Sequence, residues 1–218
     1  MTFAGIIWGP ATKYEREINE IFPKYSQPLI SLKLDLDDMY DDFVYDIYNE
    51  EDTPKWKIHE KVRHMRACDD KSVRVVFFDI DTSKTHYHER KKYMVYSNVE
   101  NMKGEVRDTV RDRIDDYFFD IVFHLTDNDK ELDYTARVVK DYIRKVSERD
   151  DYDSKYIEEA VTYYQNRDIP RLCASYLGLD TSSTAGGVVS LCDAMQADTS
   201  DASDATIIDM SEADSPTM

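Results

Sequence analysis

The sequence predicts an α/β domain over about residues 1–178, in which a mixed or parallel sheet is flanked by helices to give three layers. Three observations predict it. Runs of apolar and β-branched residues at 3–8, 72–80 and 118–125 are typical of strands that are buried on both faces. Segments with apolar residues at helical spacing alternate with these runs. The remaining residues, 179–218, are mainly Ser, Thr, Ala and Asp without Lys or Arg, which indicates a disordered acidic tail.

The first half of the domain is predicted to begin with a strand, a tight turn and a helix. Gly9-Pro10 ends the first strand, and proline suits the first position of a helix because its missing N–H costs nothing there. An acidic helix and then a basic helix are predicted after the second strand, and the basic helix is suited either to pairing with the acidic one or to attracting phosphate. The predicted elements are a strand at 3–8, a helix that ends at Pro23, a strand at 28–36, an acidic helix at 37–49 and a basic helix at 54–68.

The second half alternates strands and helices in the same way. Ser97 to Glu100 has the form of a capping box, which predicts that a helix begins there. Asp153 is predicted to cap a later helix whose buried face includes Ile157 and Ala160. The predicted elements are strands at 72–80, 93–96 and 118–125, and helices from 97, at 130–147, from 153 and at 170–177.

Composition and charge restrict the surroundings and the partners of the protein. The 218 residues carry a net charge of −17, which repels anionic membranes and nucleic-acid phosphates, so we expect neither as a partner. No apolar run reaches the roughly 18 residues of a membrane-spanning helix, and the first ten residues lack the features of a signal peptide. Cys68, Cys173 and Cys192 show no metal-binding or disulfide spacing. These features predict a cytoplasmic or nuclear protein that is not secreted.

The ends of the predicted strands should bring polar residues together at one edge of the sheet. In a parallel arrangement, Gly9-Pro10, Asp79, Asp81 and Asp127 would all emerge at that edge. Two carboxylates that are two residues apart, with a third opposite, suit Mg²⁺ or Mn²⁺ because these hard ions take oxygen ligands. The sequence therefore predicts a metal held by Asp79 and Asp81, which would bridge the phosphates of a nucleotide or nucleotide-sugar.

Further residues near this edge are candidates for catalysis and for phosphate binding. His124 is a candidate base or positioning donor, and Asp127 and Asn128 follow it where the predicted strand ends. The candidates for phosphate binding are Arg90, Lys91 and Lys92.

The acidic strand end resembles motifs of two enzyme families. Asp79-Ile80-Asp81 after an apolar strand resembles the acid-x-acid strand ends of nucleotide-sugar glycosyltransferases. It also resembles the nucleophile strand of haloacid-dehalogenase-like phosphatases, although Ser83 stands where that family has Thr or Val and no glycine follows Thr82. The first resemblance implies a metal-dependent transferase that acts on a nucleotide or nucleotide-sugar.

Each of these residues also has a purely structural interpretation. Asp81 suits an Asx turn, Asp127 suits the cap of the helix that follows it, and His124 suits a hydrogen-bonded core position. His86 and His88 alternate around a tyrosine and can form one face of a hairpin arm. The sequence leaves these alternatives open.

Two apolar islands in the acidic tail resemble SUMO-interacting motifs. Such motifs have two β-branched residues, a spacer, a third aliphatic residue and then acids or serines, and they add a strand to the edge of the modifier. The resemblance implies that SUMO or SUMO-modified proteins are partners, in a eukaryotic cell or a virus that grows in one. The residues that would bind are Val188, Val189 and Leu191 in the first island, and Ile207, Ile208 and Met210 in the second.

Two hypotheses about function follow from the sequence. The first is a regulatory or interaction protein whose tail binds SUMO. The second is a metal-dependent transferase with its site at Asp79, Asp81, His124 and Asp127.

Overall fold

The computed structural model describes residues 1–51, 53–149 and 157–160 and confirms the α/β class. The strands in this part of the chain are β1 (Thr2–Ile7), β2 (Pro28–Asp35), β3 (Ser72–Asp79), β4 (Thr85–His88), β5 (Tyr93–Tyr96), β6 (Phe123–Leu125) and β7 (Ile157–Ala160). The helices are α1 (Gly9–Thr12), α2 (Glu15–Ile21), α3 (Tyr40–Ile47), α4 (Lys55–Arg66), α5 (Ser97–Val110) and α6 (Asp129–Ser147). The tail at 179–218, with both of its apolar islands, and the helix predicted at 170–177 lie outside the described residues.

The sheet lies between two groups of helices, so the predicted three layers are present. Strand β1 and the residue after it show why: Phe3 and Ile7 pack into one apolar core, whereas Ala4, Ile6 and Trp8 pack into the other. Helices α3, α4 and α6 cover the core that contains Trp8. Helices α1, α2 and α5 cover the core that contains Phe3. Burial of alternate side chains on opposite faces explains the nearly continuous apolar run in this strand.

The direction of the strands differs from the prediction. The five strands of the main sheet follow the order β6-β1-β3-β2-β7, and every neighbouring pair is antiparallel. A mixed or parallel sheet was expected because apolarity on both faces is common in parallel sheets. Here the helices that cover both faces of the sheet require apolar residues on both faces of each central strand. This apolarity therefore carries no information about strand direction.

The antiparallel order moves Gly9-Pro10 away from the expected edge. Strand β1 lies between β3 and β6, so the carboxyl ends of β3 and β6 lie beside the beginning of β1. Gly9 follows the end of β1 and therefore lies at the opposite edge. Its N–H donates to the Tyr40 hydroxyl at 3.0 Å, and a Cβ there would collide with the Asp70 carbonyl oxygen. Gly9 thus allows close packing and does not belong to the predicted site.

The apolar run at 118–125 is a strand only over its last three residues, and that strand lies at the edge of the sheet that the described residues form. Phe119 and Asp120 have φ values of 31° and 52°, which a strand cannot accommodate. The Phe118 ring stacks on His64 with 5.1 Å between ring centroids. Residues 118–122 are therefore apolar because they pack as an irregular segment, and the prediction of a central strand here is wrong.

Two further elements refine the predictions. Ile157–Ala160 pairs with β2 as a strand, where a helix was predicted. The short strand predicted at 93–96 is confirmed, and it pairs with Thr85–His88 in a two-stranded hairpin. No helix among the described residues has both the length and the apolarity to cross a membrane.

Candidate functional site

A pocket of about 350 Å³ lies beside edge strand β6 and is bordered by the β4–β5 hairpin, α5 and the start of α6. Most of its lining side chains are ionisable, although many of them are largely buried. The lining residues are Tyr48, Glu51, His88, Arg90, Lys91, Glu100, Lys103, Arg107, Phe119, Asp120, His124, Leu125, Asp127 and Glu131.

Two lysines and two carboxylates form an ionic network in one wall of the pocket. Lys91 Nζ lies 2.8 Å from both Glu100 Oε1 and Asp127 Oδ2. Lys103, whose side chain is 7% exposed, contacts the same two carboxylates. Burial alone raises the pKa of Asp127, but the ammonium groups of Lys103 and Lys91 outweigh it and hold that pKa well below its ordinary value. Asp127 is therefore a permanent carboxylate that fixes both lysines.

Glu51 and His124 form a second polar pair, in which the histidine is neutral and the carboxyl group only partly ionised at neutral pH. His124 Nε2 lies 3.7 Å from Glu51 Oε1. Burial, with a smaller contribution from the Glu131 carboxylate, raises the pKa of Glu51 to about 7. Burial and the nearby Lys103 ammonium lower the pKa of His124 well below its ordinary value. The separation is within ion-pair range, but the histidine is neutral at pH 7, so the contact is polar and not ionic.

A buried lysine supports the irregular segment that forms another part of the wall. Lys61, on α4, is fully buried and donates to the carbonyl oxygens of Phe119 and Asp120 at 3.3 and 2.8 Å. Its ammonium lies 4.9 Å from the ring centroids of both Trp8 and Tyr48. Burial lowers the pKa of Lys61 to about 7, although the Asp120 carboxylate opposes this shift. The lysine holds two residues in the left-handed region, where non-glycine residues rarely lie.

Arg90 differs from the other cations of the pocket because no described residue neutralises its charge. It lies exposed at the tip of the hairpin and makes no hydrogen bond or ion pair with any described residue. Arg107, by contrast, contacts Asp120 Oδ2 at 3.2 Å and donates to the Phe123 carbonyl oxygen at 3.1 Å. Arg90 is therefore the lining cation best able to meet an anion from solution.

Four of the residues predicted from the sequence meet in this pocket. His124, Asp127, Arg90 and Lys91 all line it. Lys92 does not; its N–H donates to the His88 carbonyl oxygen at 2.8 Å and thereby shapes the hairpin turn.

Asn128 serves the helix that follows it and does not line the pocket. Its side chain accepts a hydrogen bond from the Glu131 N–H at 3.0 Å, so it is the N-cap of α6. From the sequence, Asp127 had been the residue suited to cap this helix.

The predicted metal ligands Asp79 and Asp81 lie elsewhere. Asp79 accepts from the Met1 amino group at 2.8 Å, and Asp81 accepts from the backbone and hydroxyl of Ser83, both at 2.9 Å. Neither residue lines the pocket that contains Asp127. Within residues 1–51, 53–149 and 157–160, no group of three or more His, Cys, Asp or Glu side chains is placed to hold a metal ion. Binding of Mg²⁺ or Mn²⁺ stays a prediction from the sequence.

Several residues that line or support the pocket could not be recognised in the sequence. Glu100 and Lys103 are one helical turn apart on α5, which predicts only that they share a face of that helix. Glu51 follows α3 without any motif, and Lys61 looks like one of many charges on a basic helix. Comparison of the chain with protein-family models, with curated proteins and with solved structures gives no match.

Proposed function

We propose that the pocket beside β6 binds a small phosphate-bearing molecule and supports acid–base catalysis of group transfer on it. The supporting observation is that one pocket contains both an arginine that has no partner among the described residues, Arg90, and a carboxyl group whose pKa is about 7, Glu51. Nucleotides and nucleotide-sugars, the substrates expected from the sequence, belong to this class of ligand.

The cations of the pocket suit an anion that enters from the hairpin side. Arg90 offers a planar set of donors that matches phosphate geometry. Lys91 lies next to it in the chain, and its ammonium is already fixed by Glu100 and Asp127. A bound phosphate would therefore meet one cation that is held in place and one that is free to close onto it.

Glu51 suits proton transfer because a general acid or base works best when its pKa lies near the working pH. In its ionised form it would accept the proton of an attacking hydroxyl, and in its protonated form it would supply the proton to a leaving group. His124, which is neutral and 3.7 Å away, would orient the carboxyl group. An acid with a raised pKa beside a base with a lowered pKa, as Glu51 and His124 are here, is typical of catalytic sites.

Isothermal titration calorimetry with ribose 5-phosphate tests this proposal. We expect binding to the wild type and a loss of roughly tenfold or more in affinity in Arg90→Ala, because a hydrogen bond to a charged group is lost. Arg16→Ala is the matched control, since Arg16 is 94% exposed on α2 and does not line the pocket. Absence of binding to the wild type, or equal affinities in the two variants, would contradict the proposal.

We also propose, from the sequence, that the tail binds SUMO through its two apolar islands. The support is their spacing within an acidic segment that lacks Lys and Arg, and the resemblance is closer for the second island. Titration of a labelled peptide of residues 179–218 with SUMO should show weak binding that is lost when Ile207 and Ile208 are both replaced by Ala. Equal binding of the two peptides would refute this role. The two proposed functions concern different parts of the chain and are compatible.

A further inference from the structure

The β4–β5 hairpin presents a tyrosine on the face that borders the pocket. Cross-strand partners project from the same face of a hairpin, and successive pairs alternate between faces. Tyr93 is paired with His88, which lines the pocket, whereas Tyr87 is paired with Met94. Tyr93 therefore shares the pocket face, and Tyr87 lies on the other face.

The contacts of Tyr93 place it beside the charged network of the pocket. The Lys91 ammonium lies 5.9 Å from the centroid of its ring. Burial raises the pKa of Tyr93, and the carboxylates of Asp127, Glu131 and Glu100 raise it further, against the opposing effect of Lys91. All of these charged residues line the pocket. Even so, the residue is 49% exposed, so much of the ring is open to solvent at the rim.

The tip of the hairpin is held in position. The Lys91 ammonium is anchored by Glu100 and Asp127, and the Lys91 backbone N–H donates to His88 Nδ1 at 3.3 Å. A ring supported in this way loses little freedom when a ligand covers it, which favours binding. Arg90, three residues before Tyr93, lies at the same tip.

We infer that the pocket has an aromatic subsite at Tyr93 and that its phosphate-bearing ligand carries a flat ring, as a nucleotide does. The inference rests on the proposed phosphate binding and names its ligand class. The base stacks on the exposed ring of Tyr93 while the phosphate is held by Arg90. Stacking of a base on an aromatic side chain raises affinity by about tenfold in related situations and tolerates different bases.

The test compares AMP with ribose 5-phosphate, which has the same phosphate and sugar but no base. Calorimetry on the wild type should give affinity for AMP about tenfold higher than for ribose 5-phosphate. Tyr93→Ala should abolish this difference and leave the affinity for ribose 5-phosphate unchanged. Tyr93→Phe retains the ring and should behave as the wild type. Tyr87→Ala, which removes a similarly exposed tyrosine from the other face, is the matched control and should also behave as the wild type.

Three results would overturn the inference. Equal affinities of the wild type for the two ligands would show that no base subsite exists, and the proposed phosphate site would stand. An equal loss for both ligands in Tyr93→Ala would show that the tyrosine only supports the hairpin. Absence of binding of either ligand to the wild type would remove the proposed function and the subsite together.

Discussion

Replacing Glu51 by glutamine should stabilise the protein at pH 8 but not at pH 5. The pKa of Glu51 is raised from 4.5 to about 7 in the folded protein. Between these values the unfolded chain releases the proton first, so the folded state loses relative stability as the pH rises from 4.5 to about 7. Glutamine resembles the protonated carboxyl group and does not titrate, so this loss is absent from the variant.

The magnitude follows from the size of the pKa change. Each pH unit corresponds to about 1.4 kcal/mol, so full deprotonation costs up to about 3 kcal/mol. The Glu51 side chain is 23% exposed, and solvent screening reduces this cost. We therefore expect Glu51→Gln to be about 1–3 kcal/mol more stable than the wild type at pH 8, with near equality at pH 5.

Urea unfolding at the two pH values measures this difference. Other titrating groups affect both proteins equally and cancel in the comparison. Glu20→Gln is the control, because Glu20 is 72% exposed and should show the same small effect at both pH values. If the Glu51→Gln variant gains no stability between pH 5 and pH 8 relative to the wild type, the raised pKa of Glu51 is wrong, and with it the proposed acid–base role.

Three more predictions concern buried groups. The pKa of Lys61 is lowered from 10.5 to about 7, so wild-type stability should rise from about pH 7 towards pH 10.5. Lys61→Met should lack that rise, so its free energy of unfolding relative to that of the wild type should be higher at pH 6.5 than at pH 9 in urea titrations. An identical pH profile of the two proteins would contradict this. Asp127→Asn should cost about 2–4 kcal/mol, because it removes a carboxylate partner from the buried Lys103 and the partly buried Lys91, whereas Asp108→Asn, at an exposed pair, should cost under about 1 kcal/mol. Comparable losses in the two variants would refute burial of the network. Gly9→Ala should lower the melting temperature because the added Cβ has no room. Gly104→Ala, inside α5 with open space around it, should instead gain about 0.5–1 kcal/mol of stability. An unchanged melting temperature in Gly9→Ala would show that Gly9 does not approach Asp70 closely.

The order of the elements was predictable because local apolar spacing determines it. Thr2–Ile7, Asp129–Ser147 and the short strand Tyr93–Tyr96 all lie close to their predicted bounds. Strand direction was not predictable, because helices on both faces make antiparallel strands as apolar as parallel ones. The strand prediction failed at residues 118–122 for a related reason. Their apolarity reflects burial, whereas their backbone conformation depends on contacts with Lys61, which is distant in the sequence.

The candidate site was predictable only where polar residues follow an apolar run. His124 and Asp127 were found because they end such a run, and Arg90 and Lys91 because the loop before β5 is rich in charge. Glu51 could not be found, because its raised pKa comes from burial that only the packed chain creates. The two acids at the end of β3 looked like ligands, but their contacts lie within their own turn or with the start of the chain.

Chemical-shift mapping of the isotope-labelled protein tests most directly whether this pocket is a ligand site. On titration with AMP, we predict that the largest amide shifts fall at Arg90 and Lys91, at Glu51, and along β6 at His124. The same titration of Arg90→Ala should show much smaller shifts, while its spectrum without ligand stays close to that of the wild type outside the hairpin. Shifts that cluster away from these residues, or no shifts at millimolar AMP, would contradict the central claim that a phosphate-bearing ligand binds beside β6.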